Sequence, residues 1–230
     1  MNPQILAARI DHTLLSPTAG QAEIARLCDE ALQHGFGCVC VAPRWVSLAK
    51  SLLKGSTTKI ASVVAFPLGH TLPSVKKYET LELVALGVDE VDCVIDLAAA
   101  KMGNWRELTE DLEGVVNAAG GRLVKAIIEA ACLSDAELDE TCRCVMRAGA
   151  AFVKTSTGFG FPGATTTLVR RIKQIVGDSL RIKASGGIRT LEQAIALLEA
   201  GADRLGTTAS VAIMDQLRSG TSPSRKGDLG

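Results

Sequence analysis

Aromatic side chains are scarce: Phe, Trp and Tyr together make up 3 % of the 230 residues. A core must therefore be assembled from Ala, Val, Ile and Leu, as the interior of a parallel sheet usually is. Net charge is also missing, since 25 basic side chains meet 25 acidic ones. No field of one sign is available to draw in nucleic acid or an anionic membrane. No apolar run reaches the length that crosses a bilayer, and the N-terminus has no basic region followed by a long apolar stretch. Neither a membrane segment nor a signal peptide is expected. The C-x-x-C spacing of zinc and redox sites is absent too. The seven cysteines are odd in number, and Cys38 and Cys40 alternate with valines. They read as small buried hydrophobes in a reducing, cytoplasmic setting. His12, His34 and His70 are scattered, so no metal site is expected and none of them is assigned a role.

What is present is a repeating unit. A helix rich in Ala and Leu ends at a glycine, an apolar run follows, then a polar loop and another helix. The glycines are Gly35, Gly87, the pair Gly120-Gly121, Gly149 and Gly201, placed where a left-handed turn closes a helix. The spacing predicts strands over 10–14, 38–41, 59–66, 90–95, 122–129, 151–155, 180–185 and 203–206. An amphipathic lead over 3–9 precedes the first strand. Ser16-Pro17-Thr18 is expected to break the chain and cap a helix over 19–34. Eight strand–helix units without interruption predict a closed (β/α)8 barrel, a TIM barrel, in a single domain over 1–218. An open doubly wound sheet is the alternative. Residues 219–230 are Ser, Gly, Lys and Asp with little to bury, and are expected to form a mobile tail.

The polar residues inside these strands carry the chemistry. Alternate side chains of a barrel strand face the interior. That parity puts Asp92 of the fourth strand, Lys154 of the sixth and Lys183 of the seventh inside, converging near the C-terminal rim. Any one of them alone is better read as a snorkelling lysine or a loop-capping aspartate. Three together are not, because burying unpaired ions costs several kcal/mol each. Burial and a second ammonium both favour a neutral, nucleophilic lysine. Lys154 is therefore the candidate imine-forming amine, with Asp92 and Lys183 as the proton-transfer pair. Lys125 and Glu129 also face inward, and Lys125 is read as charge balance for Asp92.

Two glycine-rich loops follow the last two strands, Ser185-Gly186-Gly187 and Gly206-Thr207-Thr208. In many barrels these positions bind phosphate with backbone amides and a helix N-terminus. Gly186, Gly187, Gly206 and Thr208 are the candidate phosphate contacts, with Gly158 as a further donor. Asp11 and Thr13, at the end of the first strand, are candidates for sugar hydroxyls, with anchoring of their own loop as the equal alternative. The ligand expected is a carbonyl at one end and a phosphate at the other.

The segments 153–160, Val-Lys-Thr-Ser-Thr-Gly-Phe-Gly, and 182–190, Ile-Lys-Ala-Ser-Gly-Gly-Ile-Arg-Thr, resemble the deoxyribose-phosphate aldolases, class I aldolases. Asp11-His12-Thr13-Leu14, Phe66-Pro67-Leu68-Gly69, Glu90-Val91-Asp92 and the segment 125–129 support the same resemblance, which runs from Ile10 to about Ala209. It implies an imine lysine at Lys154, a second lysine at Lys183 and a proton-relay aspartate at Asp92. It also implies reversible cleavage of 2-deoxy-D-ribose 5-phosphate to acetaldehyde and D-glyceraldehyde 3-phosphate, without metal or organic cofactor. Ala42 stands where the family usually has Asn or Tyr, Ala65 where Gly is common, and Ala209 where a small hydroxyl residue is usual. The tail lacks the terminal tyrosine of some members. A small phosphorylated aldehyde or sugar is the expected partner, along with a second copy of the chain in a homo-oligomer, a dimer first. A different sugar-phosphate aldolase or a transaldolase shares these features, and a phosphate-ligand binding protein without catalysis is the non-enzymatic alternative.

Overall fold

The computed structural model describes residues 1–220. Eight parallel strands close into a barrel in sequence order: β1 (Ile10–Leu14), β2 (Cys38–Val41), β3 (Lys59–Val64), β4 (Glu90–Val94), β5 (Leu123–Ile127), β6 (Phe152–Lys154), β7 (Arg181–Ser185) and β8 (Arg204–Thr207). Closure is made by β8 on β1, with Asp11 opposite Gly206. The single-domain (β/α)8 architecture is thus observed, and the open sheet is excluded. Around the strands run α1 (Pro3–Ala8), α2 (Gln21–His34), α3 (Val46–Leu52), α4 (Pro73–Leu86), α5 (Leu97–Lys101), α6 (Trp105–Ala118), α7 (Asp135–Arg147), α8 (Thr166–Val176), α9 (Leu191–Glu199) and α10 (Ser210–Ser219).

Helix ends follow local chemistry. Ser134 and Thr190 each accept a backbone N–H from the third residue of α7 and α9, whose Glu137 and Gln193 reach back in return, satisfying otherwise unpaired donors. Gly35 and Gly87 end α2 and α4 in the left-handed conformation. The second helix starts at Gln21, two residues later than expected. Ser16 and Thr18 bond to each other in a turn, and the Glu23 carboxylate takes the Gly20 N–H at 2.9 Å. The expected 122–129 strand is also shorter, ending at Ile127, because Glu129 adopts a left-handed backbone with φ 42°. The expected tail begins at Ser219, which is the last residue of α10; positions 221–230 lie outside the described residues.

Strand parity sorts the side chains. Val91 and Cys93 face outward into the main core beneath the helices, with Val124, Ala126, Val153, Ile182 and Ala184. Inside the barrel, Cys38, Cys40, Ala61 and Val63 form a small separate apolar cluster on β2 and β3. Beside Ile127 and Phe152, which are also buried, much of the remaining interior is charged: Asp11, Glu90, Asp92, Lys125, Lys154 and Lys183. A barrel lumen is normally packed with branched aliphatic side chains, so this departure makes the lumen the candidate functional region. Six of the seven cysteines are buried, as small hydrophobes would be, while Cys132 is part-exposed. Among the described residues no helix is long and apolar enough to cross a membrane.

Candidate active site

Lys154 ends β6, the shortest strand, and its neighbours Lys125 and Lys183 come from β5 and β7. Register places Ile127 and Lys183 directly beside Lys154, and Asp92 beside Lys125. Three amines meet at one carboxylate. Asp92 accepts from Lys125 at 2.7 Å on Oδ1, and from Lys154 at 2.8 Å and Lys183 at 2.7 Å on Oδ2. The Lys154 and Lys183 nitrogens are therefore within two hydrogen-bond lengths of each other. Lys125 takes part as the charge balance that parity suggested.

The other ends of these cations are held from below. Asp11 pairs with Lys183 and Arg204, and lies 3.7 Å from Lys125. Glu90 pairs with Lys125 at 2.5 Å and stands 3.6 Å from Arg204. Neither Glu90 nor Arg204 was anticipated. The signal existed, since Glu90 shares the parity of Asp92 and Arg204 that of Gly206, but both open their strands and read as ordinary solvent-facing residues. Of the two roles open to Asp11, the geometry favours anchoring: it is fully buried, held by cations, and does not line the cavity. Its carboxylate is tied to Lys183 and Arg204, beneath the cavity floor. Asp11, Glu90 and Cys38 offer three ligand atoms within 4.8 Å of one another. The two carboxylates are already held by Lys125, Lys183 and Arg204, so a metal ion would have to displace strong partners.

Unequal pairing sets the protonation of the amines. Burial pushes the Lys154 ammonium down, and Lys183 adds to this; Asp92 opposes both, and the balance stays below the ordinary lysine range. Burial acts on Lys183 as well, but Asp11 and Asp92 together outweigh it and raise its pKa. Lys125 is likewise raised, by Asp92, Asp11 and Glu90 against burial. Burial would raise the Asp92 carboxyl, yet Lys125, Lys154 and Lys183 hold it well below its usual range. One amine is thus shifted toward its neutral form, and two are held in the charged form.

Above Lys154 opens a cavity of about 400 Å³ at the C-terminal ends of the strands. Lys154, Thr13, Gly158, Gly186, Gly187, Gly206 and Thr208 all line it, whereas Asp92 and Lys183 lie beneath. The opposite rim, Leu14 to Pro17, and Phe159, Ile188 and Arg189 also line the cavity; no site role is expected for them from the sequence, although Leu14, Phe159, Ile188 and Arg189 lie within the segments that carry the family resemblance. Phe159 meets Phe66 edge-to-face, with ring centroids 5.2 Å apart, at the cavity mouth. Gly206 is needed for close approach: a Cβ there would stand 3.0 Å from Cε of Lys183 and 3.1 Å from Cβ of Ser185. Beyond it, α10 starts without a side-chain cap, leaving first-turn amides for an anion. The loop after β6 is tied by Glu129, whose Oε2 accepts the Thr157 N–H at 3.1 Å and the Thr157 hydroxyl.

Known proteins match this chain over most of its length. A model of the family described as "DeoC/LacD family aldolase" matches residues 5–225. The deoxyribose-phosphate aldolase of Carboxydothermus hydrogenoformans is 49 % identical over 219 residues, covering 94 % of this chain and 96 % of that protein. A putative deoxyribose-phosphate aldolase from Coccidioides immitis superposes with a TM-score of 0.92 at 35 % identity, covering 95 % of this chain and 87 % of that one. The deoxyribose phosphate aldolase of Aeropyrum pernix, described as having a unique tetrameric structure, gives 0.90 at 34 % identity, with 96 % and 94 % covered.

Proposed function

The chain belongs to the DeoC/LacD family of aldolases, and we propose that it reversibly cleaves 2-deoxy-D-ribose 5-phosphate to acetaldehyde and D-glyceraldehyde 3-phosphate through an imine on Lys154. The observation that carries this reading is the position of Lys154: it is the amine of the buried cluster that opens onto the cavity, and the one whose pKa is lowered.

In the cleavage direction, the free Lys154 amine adds to the aldehyde carbon of the open-chain sugar. Loss of water gives a protonated imine. The C2–C3 bond then breaks as the C3 hydroxyl gives up its proton, and the electron pair forms an enamine on the two-carbon fragment. The triose phosphate leaves as an aldehyde. Protonation of the enamine carbon and addition of water release acetaldehyde and restore the amine. Lys183 supplies the retained proton and Asp92, touching both amines, is the path between them. The glycine amides and the uncapped start of α10 are suited to the phosphate, and fix the reacting carbons over Lys154. Seven unpaired thiols suit a cytoplasmic setting. A homo-oligomer, a dimer first, belongs to the same reading; Leu72, just before α4, and Val75, Tyr78 and Leu81 on it are exposed, and the Aeropyrum pernix relative is described as tetrameric.

Reduction by cyanoborohydride in the presence of acetaldehyde is expected to leave a two-carbon adduct on Lys154, located by peptide mass. Full turnover of the deoxysugar phosphate with Lys154 unlabelled would end the mechanism. Faster cleavage of a different sugar phosphate in a substrate panel would end the substrate assignment alone.

A further inference from the structure

Counting buried charges below the cavity gives a clear imbalance around one residue. Three carboxylates, Asp11, Glu90 and Asp92, face three cations that each touch at least two of them: Lys125, Lys183 and Arg204. Lys154 is the fourth cation, and its ion pair is to Asp92 Oδ2, an oxygen already taken by Lys183. We propose that Glu90 and Arg204, which open β4 and β8 at the far end of the barrel from the cavity, are positioning residues for the reactivity of Lys154: they complete a three-to-three set of buried charges that leaves a protonated Lys154 without a counter-ion of its own. The inference rests on Lys154 being the imine-forming amine, and adds what keeps it free of its proton.

Neighbouring titratable groups do not upset the count. Cys38 and Cys40 on β2 have thiol pKa values raised by burial and so stay uncharged. Glu129, after β5, spends its carboxylate on Thr157. Arg181, opening β7, is exposed and stacks over the Phe152 ring at 4.1 Å. Glu90 and Arg204 do not touch Lys154; Lys125, Asp11, Lys183 and Asp92 lie between. Charge acts across that gap because water is excluded. At an effective dielectric of about 20, one unit charge at about 10 Å moves a pKa by about one unit.

The test uses the full chain and the variants Arg204→Met, Glu90→Gln and their combination. Reductive methylation with formaldehyde and cyanoborohydride is followed at Lys154 by peptide mass across pH, relative to exposed Lys54. Arg204→Met removes a cation, favours protonated Lys154, and is expected to move its midpoint up by about one pH unit. Glu90→Gln removes an anion and is expected to move it down by a similar amount. The double variant restores the balance and is expected to return to the parental midpoint. Arg204→Lys keeps the charge and is expected to leave the midpoint in place. Shifts of the same sign in both single variants, no shift in either, or a displaced double variant would overturn the proposal. If one single variant does not fold, the sign and size of the shift in the other decide, with Arg204→Lys as the charge-preserving control. The readout needs no sugar substrate, so a wild type that methylates with a lowered midpoint yet forms no acetaldehyde adduct would remove the aldolase mechanism and leave the charge argument standing.

Discussion

Glu129 grips Thr157 twice, through its backbone N–H at 3.1 Å and through its hydroxyl. It does so from a left-handed backbone, φ 42°, that a side chain with a Cβ enters only against strain. Both residues are buried. The pair joins the end of β5 to the loop that carries Gly158 and Phe159 over the cavity. Thr157→Val is expected to lower unfolding stability by about 1.5–3 kcal/mol, the worth of a hydrogen bond to a charged group. A urea midpoint within error of the parent would show that the contact is idle.

The two kinds of charge in the barrel respond oppositely to removal. Lys154→Met replaces an amine without its own carboxylate by an apolar side chain of similar length. Activity is expected to fall about 10³-fold or more, while thermal stability holds or rises. Asp92→Asn instead leaves three amines around an uncharged amide, at a cost of about 3–5 kcal/mol. Thermal melts of the two variants, read side by side, check the contrast; equal destabilisation would contradict it.

Acid sensitivity has a defined window. Burial alone would raise the Asp11 carboxyl, but Lys183, Lys125 and Arg204 bring it from 3.8 down to about 2. A depressed folded-state pKa gives stability that is present above the unfolded value and is lost as pH falls through the folded one. Stability is therefore expected to drop by about 2 kcal/mol from this group alone between roughly pH 4 and pH 2, and Asp92 shifts in the same direction. Urea titrations at pH 6, 4 and 2 measure it. A midpoint that stays flat from pH 4 to pH 2 would refute the pairing.

Gly206→Ala places a methyl 3.0 Å from the Lys183 side chain. Lys183 must yield, and with it the distance to Asp92. A misplacement of this kind is expected to lower kcat about 10- to 100-fold, with the fold retained by circular dichroism. Unchanged kcat would mean that Lys183 is not held by this contact.

Ala65 sits at φ 53°, where the resembling family commonly has glycine. Ala65→Gly removes a Cβ from a left-handed position and is expected to stabilise the chain by up to about 1 kcal/mol. A lower melting temperature would show that the added freedom of the unfolded chain outweighs the strain.

Much of this molecule is legible in its sequence. The strand count, the closing glycines and the inward parity of Asp92, Lys154 and Lys183 are local or periodic properties, set by backbone geometry every second or every fourth residue. So was the inward face of Lys125. The short β5 was not legible, because Glu129 bends out of the strand to reach Thr157, 28 residues further on. Asp11 could be read either way from its own neighbourhood. Its role was decided by Lys183 on β7 and Arg204 on β8, which reach it only after the barrel closes β8 against β1. Sequence by itself determined which side chains enter the lumen. Tertiary structure alone decided how the charges are shared there, since Coulomb energies depend on distances between strands and no run of residues encodes them. Three carboxylates brought among four cations leave one amine over, and that remainder exists only in the closed ring.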